Sequence, residues 1–164
     1  MIRTQIKEIN MQQLKEYILA TIPEFQVVGI QEKIKYHDPN ESNRIGKAWQ
    51  KFFEQKTLEK IPHQFQPLRI IGLYTDYDKE GNCNLIIGAQ VTQYNSTFTP
   101  EFVHRKIPAQ HYAMFSGKGD PSQVVPELWQ KIWQAKELQR TFLHDFELYE
   151  SKQESTIEIY VAIK

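Results

Sequence analysis

The chain has 164 residues, 40% of them hydrophobic, and twenty Lys and Arg balance twenty Asp and Glu to a formal net charge of zero. That length supports one core of useful size, and the balanced charge lacks the broad positive field that holds nucleic acid, so direct DNA binding by this chain is not expected. A single cysteine, Cys83, rules out an intramolecular disulfide and a thiolate zinc site, and no apolar run approaches the ~20 residues that span a bilayer. The expected location is the cytoplasm, with no membrane partner and no cofactor.

Taken in chain order, residues 1–22 read as an N-terminal extension with helical character between Ile9 and Ile18, through Met11, Leu14, Tyr17 and Ile18, ended by Thr21-Ile22-Pro23. The β-branched run Phe25 to Ile34 predicts a strand that leaves through a loop with Pro39 and Asn40. Ser42 or Asn43 is the expected cap of a helix whose apolar residues Ile45, Ala48, Trp49, Phe52 and Phe53 form one stripe. Leu68–Tyr77 and Asn84–Val91, joined by a turn containing Gly81, predict a hairpin. Cys83, in that turn, reads as an ordinary surface thiol.

The same order then recurs. Strands are predicted from Phe102 to Ile107 and from His111 to Ser116, with Pro108-Ala109-Gln110 turning between them. Gly117-Lys118-Gly119 connects to a helix opened by Pro121 and Ser122, with Pro126 placed in its first turn and a stripe of Val125, Leu128, Trp129, Ile132 and Trp133. A second hairpin, Asp145–Tyr149 and Thr156–Ile163, closes the chain. The expected fold is therefore α+β, two βαββ units of about 23–95 and 101–164 forming an antiparallel sheet with two main helices and a central cleft. Superposing the units aligns Gly72-Leu73-Tyr74 with Glu147-Leu148-Tyr149, so a tyrosine is common to both and a glutamate belongs to the second alone.

The run Phe25 to Ile30, the helix with Trp49 and Phe53, Ile71-Gly72-Leu73-Tyr74, Ile107 to Phe115, the Trp129/Trp133 helix, Asp145 to Tyr149 and Ile157 to Tyr160 resemble, in that order, the gyrase-inhibitor-like (GyrI-like) effector-binding domain. The resemblance covers about residues 23–164. It implies a pseudo-twofold α/β sandwich with a ligand cleft near the axis, of the kind fused to AraC-type and MerR-type regulators, and here without a DNA-binding segment. It further implies that a glutamate on the strand Asp145–Tyr149 reads the positive charge of lipophilic cations, which points to Glu147, and the expected ligands are lipophilic cationic or heteroaromatic compounds.

Strand alternation sets Asp145, Glu147 and Tyr149 on one face. An acid among aromatic rings is a sound cation receptor, because excluding water strengthens its attraction and each ring face adds ~0.5–2 kcal/mol of cation–π contact. The expected ligand-binding residues are Glu147, Tyr149, Trp133, Trp49, Tyr74, Phe53, Trp129 and Tyr112, with no catalytic residue. The five histidines, His37, His63, His104, His111 and His144, show no metal-ligand spacing, and strand parity separates His144 from Glu147. Two other readings stand beside a binding module. One is a hydrolase using Glu147, which Gly72 at the repeat-equivalent position of a second acid disfavours. The other is a protein-interaction or gyrase-inhibitor role; a protein partner or a second copy fits the resemblance.

Overall fold

The computed structural model describes residues 16–36, 38, 40–95, 99–150 and 156–164. Met11, Leu14 and the rest of residues 1–15, with His37 and Pro39, lie outside the described residues. Eight strands, β1 (Ile18–Ile22), β2 (Phe25–Lys35), β3 (Arg69–Thr75), β4 (Asn82–Val91), β5 (Val103–Ile107), β6 (Gln110–Lys118), β7 (His144–Glu150) and β8 (Thr156–Ala162), join in one antiparallel sheet. Among the described residues, two helices, α1 (Glu41–Glu54) and α2 (Pro121–Gln134), and a 3-10 turn at Thr57–Lys60 complete the elements.

The strand order β1-β6-β8-β7-β3-β4-β2-β5 reads the same from either end once each strand is exchanged for its counterpart four places along the chain. The pseudo-twofold axis therefore passes between β3 and β7, where Gly72 pairs directly with Glu147. Each half lends its leading strand to the other: β1 pairs with β6, and β5 pairs with β2. The sheet is forced to curl. β5 and β6 are six places apart in it, ~29 Å if flat, yet Ile107 and Gln110 are linked by two residues that reach ~10 Å. Gly29 and Gly88 face each other across β2 and β4, and a Cβ on either would collide with the opposing backbone, so this close approach needs glycine.

Curling gives the sheet an inner apolar face. Val27, Ile71, Leu73, Ile86, Ile107, Tyr112 and Phe146, drawn from strands of both halves, form one buried cluster there. The other face carries both helices. Ala48 and Phe52 of α1 pack with Tyr74, Cys83, Leu85 and Ile87, while Leu128 and Ile132 of α2 pack with Phe115, Ile157 and Ile159. Trp129 touches both clusters and so sits over the seam between the halves.

Several details differ from expectation. Ile18 opens β1 rather than ending a helix, and β1 makes residues 18–22 the counterpart of β5. The signal lay in a repeated Ile-Pro step, Ile22-Pro23 before β2 and Ile107-Pro108 before β6. Helix α1 begins at Glu41 after Asn40, so Ser42 and Asn43 fall in its first turn instead of capping it. Helix α2 is capped by Asp120, whose carboxylate accepts from the Ser122 amide at 2.9 Å, and Pro126 lies inside the helix, past the first turn. Its missing N–H leaves one carbonyl of the preceding turn without its helical partner. Cys83 is buried under α1, and burial pushes its thiol up to about 12, which makes it inert rather than a surface thiol.

Candidate functional site

Each half brings a tryptophan and a tyrosine to the axis. Trp49 and Trp129 occupy the same place in two helices of 14 residues, and Tyr74 and Tyr149 the same place in two strands of 7. The rings pair crosswise. Trp49 meets Tyr149 edge to face at 5.1 Å and 71°, and Tyr74 meets Trp129 at 5.3 Å and 75°. The four rings thus form a cage with nearly twofold symmetry, built by helix periodicity on one side and strand alternation on the other.

Glu147 breaks that symmetry. Alternation along β7 turns it into the cage, where it is 1% exposed. Its Oε1 accepts from Trp129 Nε1 at 2.8 Å and from the Tyr74 hydroxyl at 3.1 Å, and its Oε2 accepts from the Tyr149 hydroxyl at 2.8 Å. Three donors suit a carboxylate, but all three are neutral, and no Lys, Arg or His nitrogen among the described residues lies within ion-pair distance. Burial accordingly raises the Glu147 carboxyl above its ordinary range despite hydrogen bonds that pull the other way. The same burial, with the acid alongside, raises the Tyr74 and Tyr149 hydroxyls, so both remain protonated donors at neutral pH.

Gly72 makes room for this acid. A Cβ at position 72 would stand 2.9 Å from Trp49 Cζ2 and 3.3 Å from Glu147 Oε2. The axis has space for one carboxylate, and a second would drive out the indole and set two like charges in contact.

Beside the cage lies a cavity of about 300 Å³, walled by Tyr74, Trp129, Trp133, Tyr77, Ile34 and Arg140. Glu147 is not part of its surface. Tyr74 and Trp129, both bonded to the acid, form the partition between the two. Asp38, Glu41 and Lys35 also contribute to the wall, and Glu41 Oε2 is buried without a hydrogen-bond partner among the described residues.

Two residues along β7, Asp145 is fully buried and its charge is matched. Arg140 Nη2 donates to its Oδ2 at 2.8 Å, the Tyr77 hydroxyl to the same oxygen at 2.6 Å, and the Ala162 amide to Oδ1 at 2.7 Å. The guanidinium in turn lies over the rings of Trp133 at 4.8 Å and Phe142 at 4.3 Å. Arg140, Tyr77, Phe142 and Tyr36, which also lines the cavity and stacks on Trp133 at 6.5 Å, were not anticipated from the sequence. The connector after α2 carries Arg140 and Phe142 in, and no periodicity marks a connector.

Of the eight expected ligand-binding residues, the structure gathers Glu147, Tyr149, Tyr74, Trp49 and Trp129 into the cage and puts Trp133 on the cavity wall. Phe53 stacks on Trp49 at 6.2 Å and is 57% exposed, at the outer end of the same stack. Tyr112 lies elsewhere. Its parity in β6 turns it to the inner face, where it is buried against Phe146 and Tyr160 with the sheet between it and Glu147. His144 bonds Thr75 through Nδ1 at 2.8 Å on the face away from Glu147. Among the described residues there is no group of three or more His, Cys, Asp or Glu able to hold a metal, and no helix long and apolar enough to cross a membrane.

Comparison with known proteins agrees with this architecture. A candidate transcriptional regulator of Bacillus subtilis (strain 168), YobU, is 30% identical over 131 residues, covering 76% of this chain and 82% of that protein. The crystal structure of an integron cassette protein from the Vibrio cholerae mobile metagenome superposes with a TM-score of 0.73 at 27% identity, over 92% of this chain and 97% of the other. A protein solved with bound tetraphenylphosphonium shares the fold at a TM-score of 0.76 and 19% identity, over 91% and 94% of the two chains. The GyrI-like resemblance is thereby upheld, and the match of residues 19–163 shows that the chain belongs to the Cass2 family of integron-associated effector-binding proteins.

Proposed function

We propose that this protein is a non-catalytic receptor for a lipophilic, aromatic organic cation, read by Glu147. The observation that carries the reading is a carboxylate 1% exposed, hydrogen-bonded by neutral donors and enclosed by four aromatic rings. A buried ionised acid without a cation beside it is costly, and an organic cation entering the cage supplies the missing charge while its apolar surface replaces water against the rings. Tetraphenylphosphonium bound to a protein of the same fold is a ligand of this kind. Gly72 at the axis leaves one carboxylate where a hydrolytic pair would need two, which supports binding over catalysis.

Tryptophan fluorescence tests this directly, because Trp49 and Trp129 border the acid. Titration with tetraphenylphosphonium and with uncharged tetraphenylmethane is expected to show saturable quenching by the cation alone. Glu147→Gln is expected to weaken it at least tenfold, ~1.4 kcal/mol. Affinity in the wild type should also fall with pH, by up to about tenfold per unit once Glu147 takes up its proton, since the protonated acid offers no charge. Equal affinity for cation and neutral analogue, or for wild type and Glu147→Gln, would remove the charge-reading role.

A further inference from the structure

The cavity wall has a second polar group with unmet capacity. The Arg140 side chain is 7% exposed and lines the cavity. The guanidinium carbon stands over the rings of Trp133 at 4.8 Å and Phe142 at 4.3 Å, which offer no hydrogen-bond acceptor oxygen. One nitrogen, Nη2, is engaged by Asp145 at 2.8 Å. Nε and Nη1 are buried with no hydrogen-bond partner among the described residues. A guanidinium accepts nothing and donates from every nitrogen, so these two want oxygen acceptors.

What Arg140 lacks is an acceptor, not a counter-charge. Asp145 already matches its charge and is itself fixed by Tyr77 and the Ala162 amide. A ligand carboxylate would stand as a further anion beside Asp145 and Glu147, whereas a carbonyl oxygen would fill the vacancy at no Coulombic cost. The spacing suits one small molecule. Asp145 and Glu147 share a face two residues apart, ~7 Å, and Arg140 is bonded to the first as Tyr74 and Trp129 are to the second.

We infer that Arg140 is a second ligand-reading residue, donating from one of its two unpartnered nitrogens, Nε or Nη1, to an uncharged carbonyl oxygen, so that the effector is an aromatic cation bearing a ketone, ester or amide. The cationic end rests on the function proposed for Glu147; the carbonyl end rests on Arg140 alone.

The two ends separate in a calorimetric titration with matched ligands. N-methyl-4-phenylpyridinium carrying a para isopropyl, acetyl or dimethylcarboxamide group keeps charge and shape while the acceptor strengthens. Wild type is expected to bind the acetyl compound at least about fivefold tighter than the isopropyl one, ~1 kcal/mol, and the amide tighter still. Arg140→Lys keeps a cation for Asp145 but loses the planar donors, and should level the series, the three compounds then binding alike whatever their common affinity. Glu147→Gln should weaken all three together and preserve their ratio. A flat series in the wild type, or an undiminished ratio in Arg140→Lys, overturns the inference. If Arg140→Lys does not fold, the wild-type series decides by itself. Neutral 4-acetylbiphenyl and 4-isopropylbiphenyl distinguish the two failures: a preference for the ketone without any cation binding would sink the charge reading and keep the carbonyl site, and no binding by either series sinks both.

Discussion

Asp145 and Glu147 are both buried acids on one face of one strand, yet their surroundings have opposite consequences. Asp145 has an arginine at 2.8 Å, a tyrosine hydroxyl and a backbone amide, so its charge is matched inside the protein and its role is to hold the Arg140 connector against the sheet. Glu147 has three neutral donors and a raised pKa, so its charge is left for something else to match. Both acids are buried, but only the charge of Asp145 is compensated inside the protein; under the function proposed above, the uncompensated charge of Glu147 is what a ligand cation would meet.

The sharpest break of this contrast is Asp145→Asn. Removing one partner of a buried pair leaves the other charged and unmatched, which costs about 3–5 kcal/mol. For a domain of this size each kcal/mol shifts the melting temperature by ~2–4 °C, so circular dichroism should show a fall of roughly 10 °C. A shift within a degree or two would mean that Arg140 and Asp145 do not depend on each other.

A smaller effect is expected from Gly72→Ala. The added methyl would press Trp49 Cζ2 at 2.9 Å, and relieving that contact means displacing an indole that packs on Tyr149 and Phe53. Overpacking of this kind costs about 1–3 kcal/mol, and the cage should bind cations less well. Trp49→Leu removes the obstructing ring, so the double variant should recover much of the stability that Gly72→Ala loses relative to the Trp49→Leu background. Simple additivity of the two changes in a chemical denaturation cycle would show that Gly72 does not act through the indole.

The sequence revealed the halves of this design unequally. Helix stripes and strand alternation are local periodicities, so α1, α2 and both hairpins could be read from spacing, and alternation alone put Asp145, Glu147 and Tyr149 on one face. The equivalence of Gly72 with Glu147 was visible too, and became a cross-strand pair on the axis. Strand β1 was misread because Leu14, Tyr17 and Ile18 fall at helical spacing, whereas its strand state comes from pairing with β6, 90 residues away in the case of Thr21 and His111. Cys83 looked like part of a turn because Asp78 and Gly81 precede it, but it begins the alternation Cys83, Leu85, Ile87 that faces α1. Arg140 carried no local signal, since its importance arises from Asp145, Trp133 and Phe142 converging on it in three dimensions.

The subtlest test concerns stability and pH in Glu147→Gln. Burial raises the carboxyl of Glu147 above its ordinary value of 4.5, so the folded state holds this proton more tightly than the unfolded chain does. A group raised in this way contributes stability in full below 4.5, and loses it as pH rises through the folded-state pKa. Gln carries no such titration, and the remaining carboxylates are common to both proteins and cancel in the comparison. Wild type and Glu147→Gln should therefore have similar stability near pH 4, with the variant the more stable at pH 8. Saturating tetraphenylphosphonium should reverse the order at pH 8, because the bound cation stabilises the ionised wild type and has little hold on the variant. Thermal melts at the two pH values, with and without the cation, read all four states. A variant that is less stable than the wild type at pH 8 without ligand would show that the three neutral donors already meet the charge, and the distinction between the two acids would disappear.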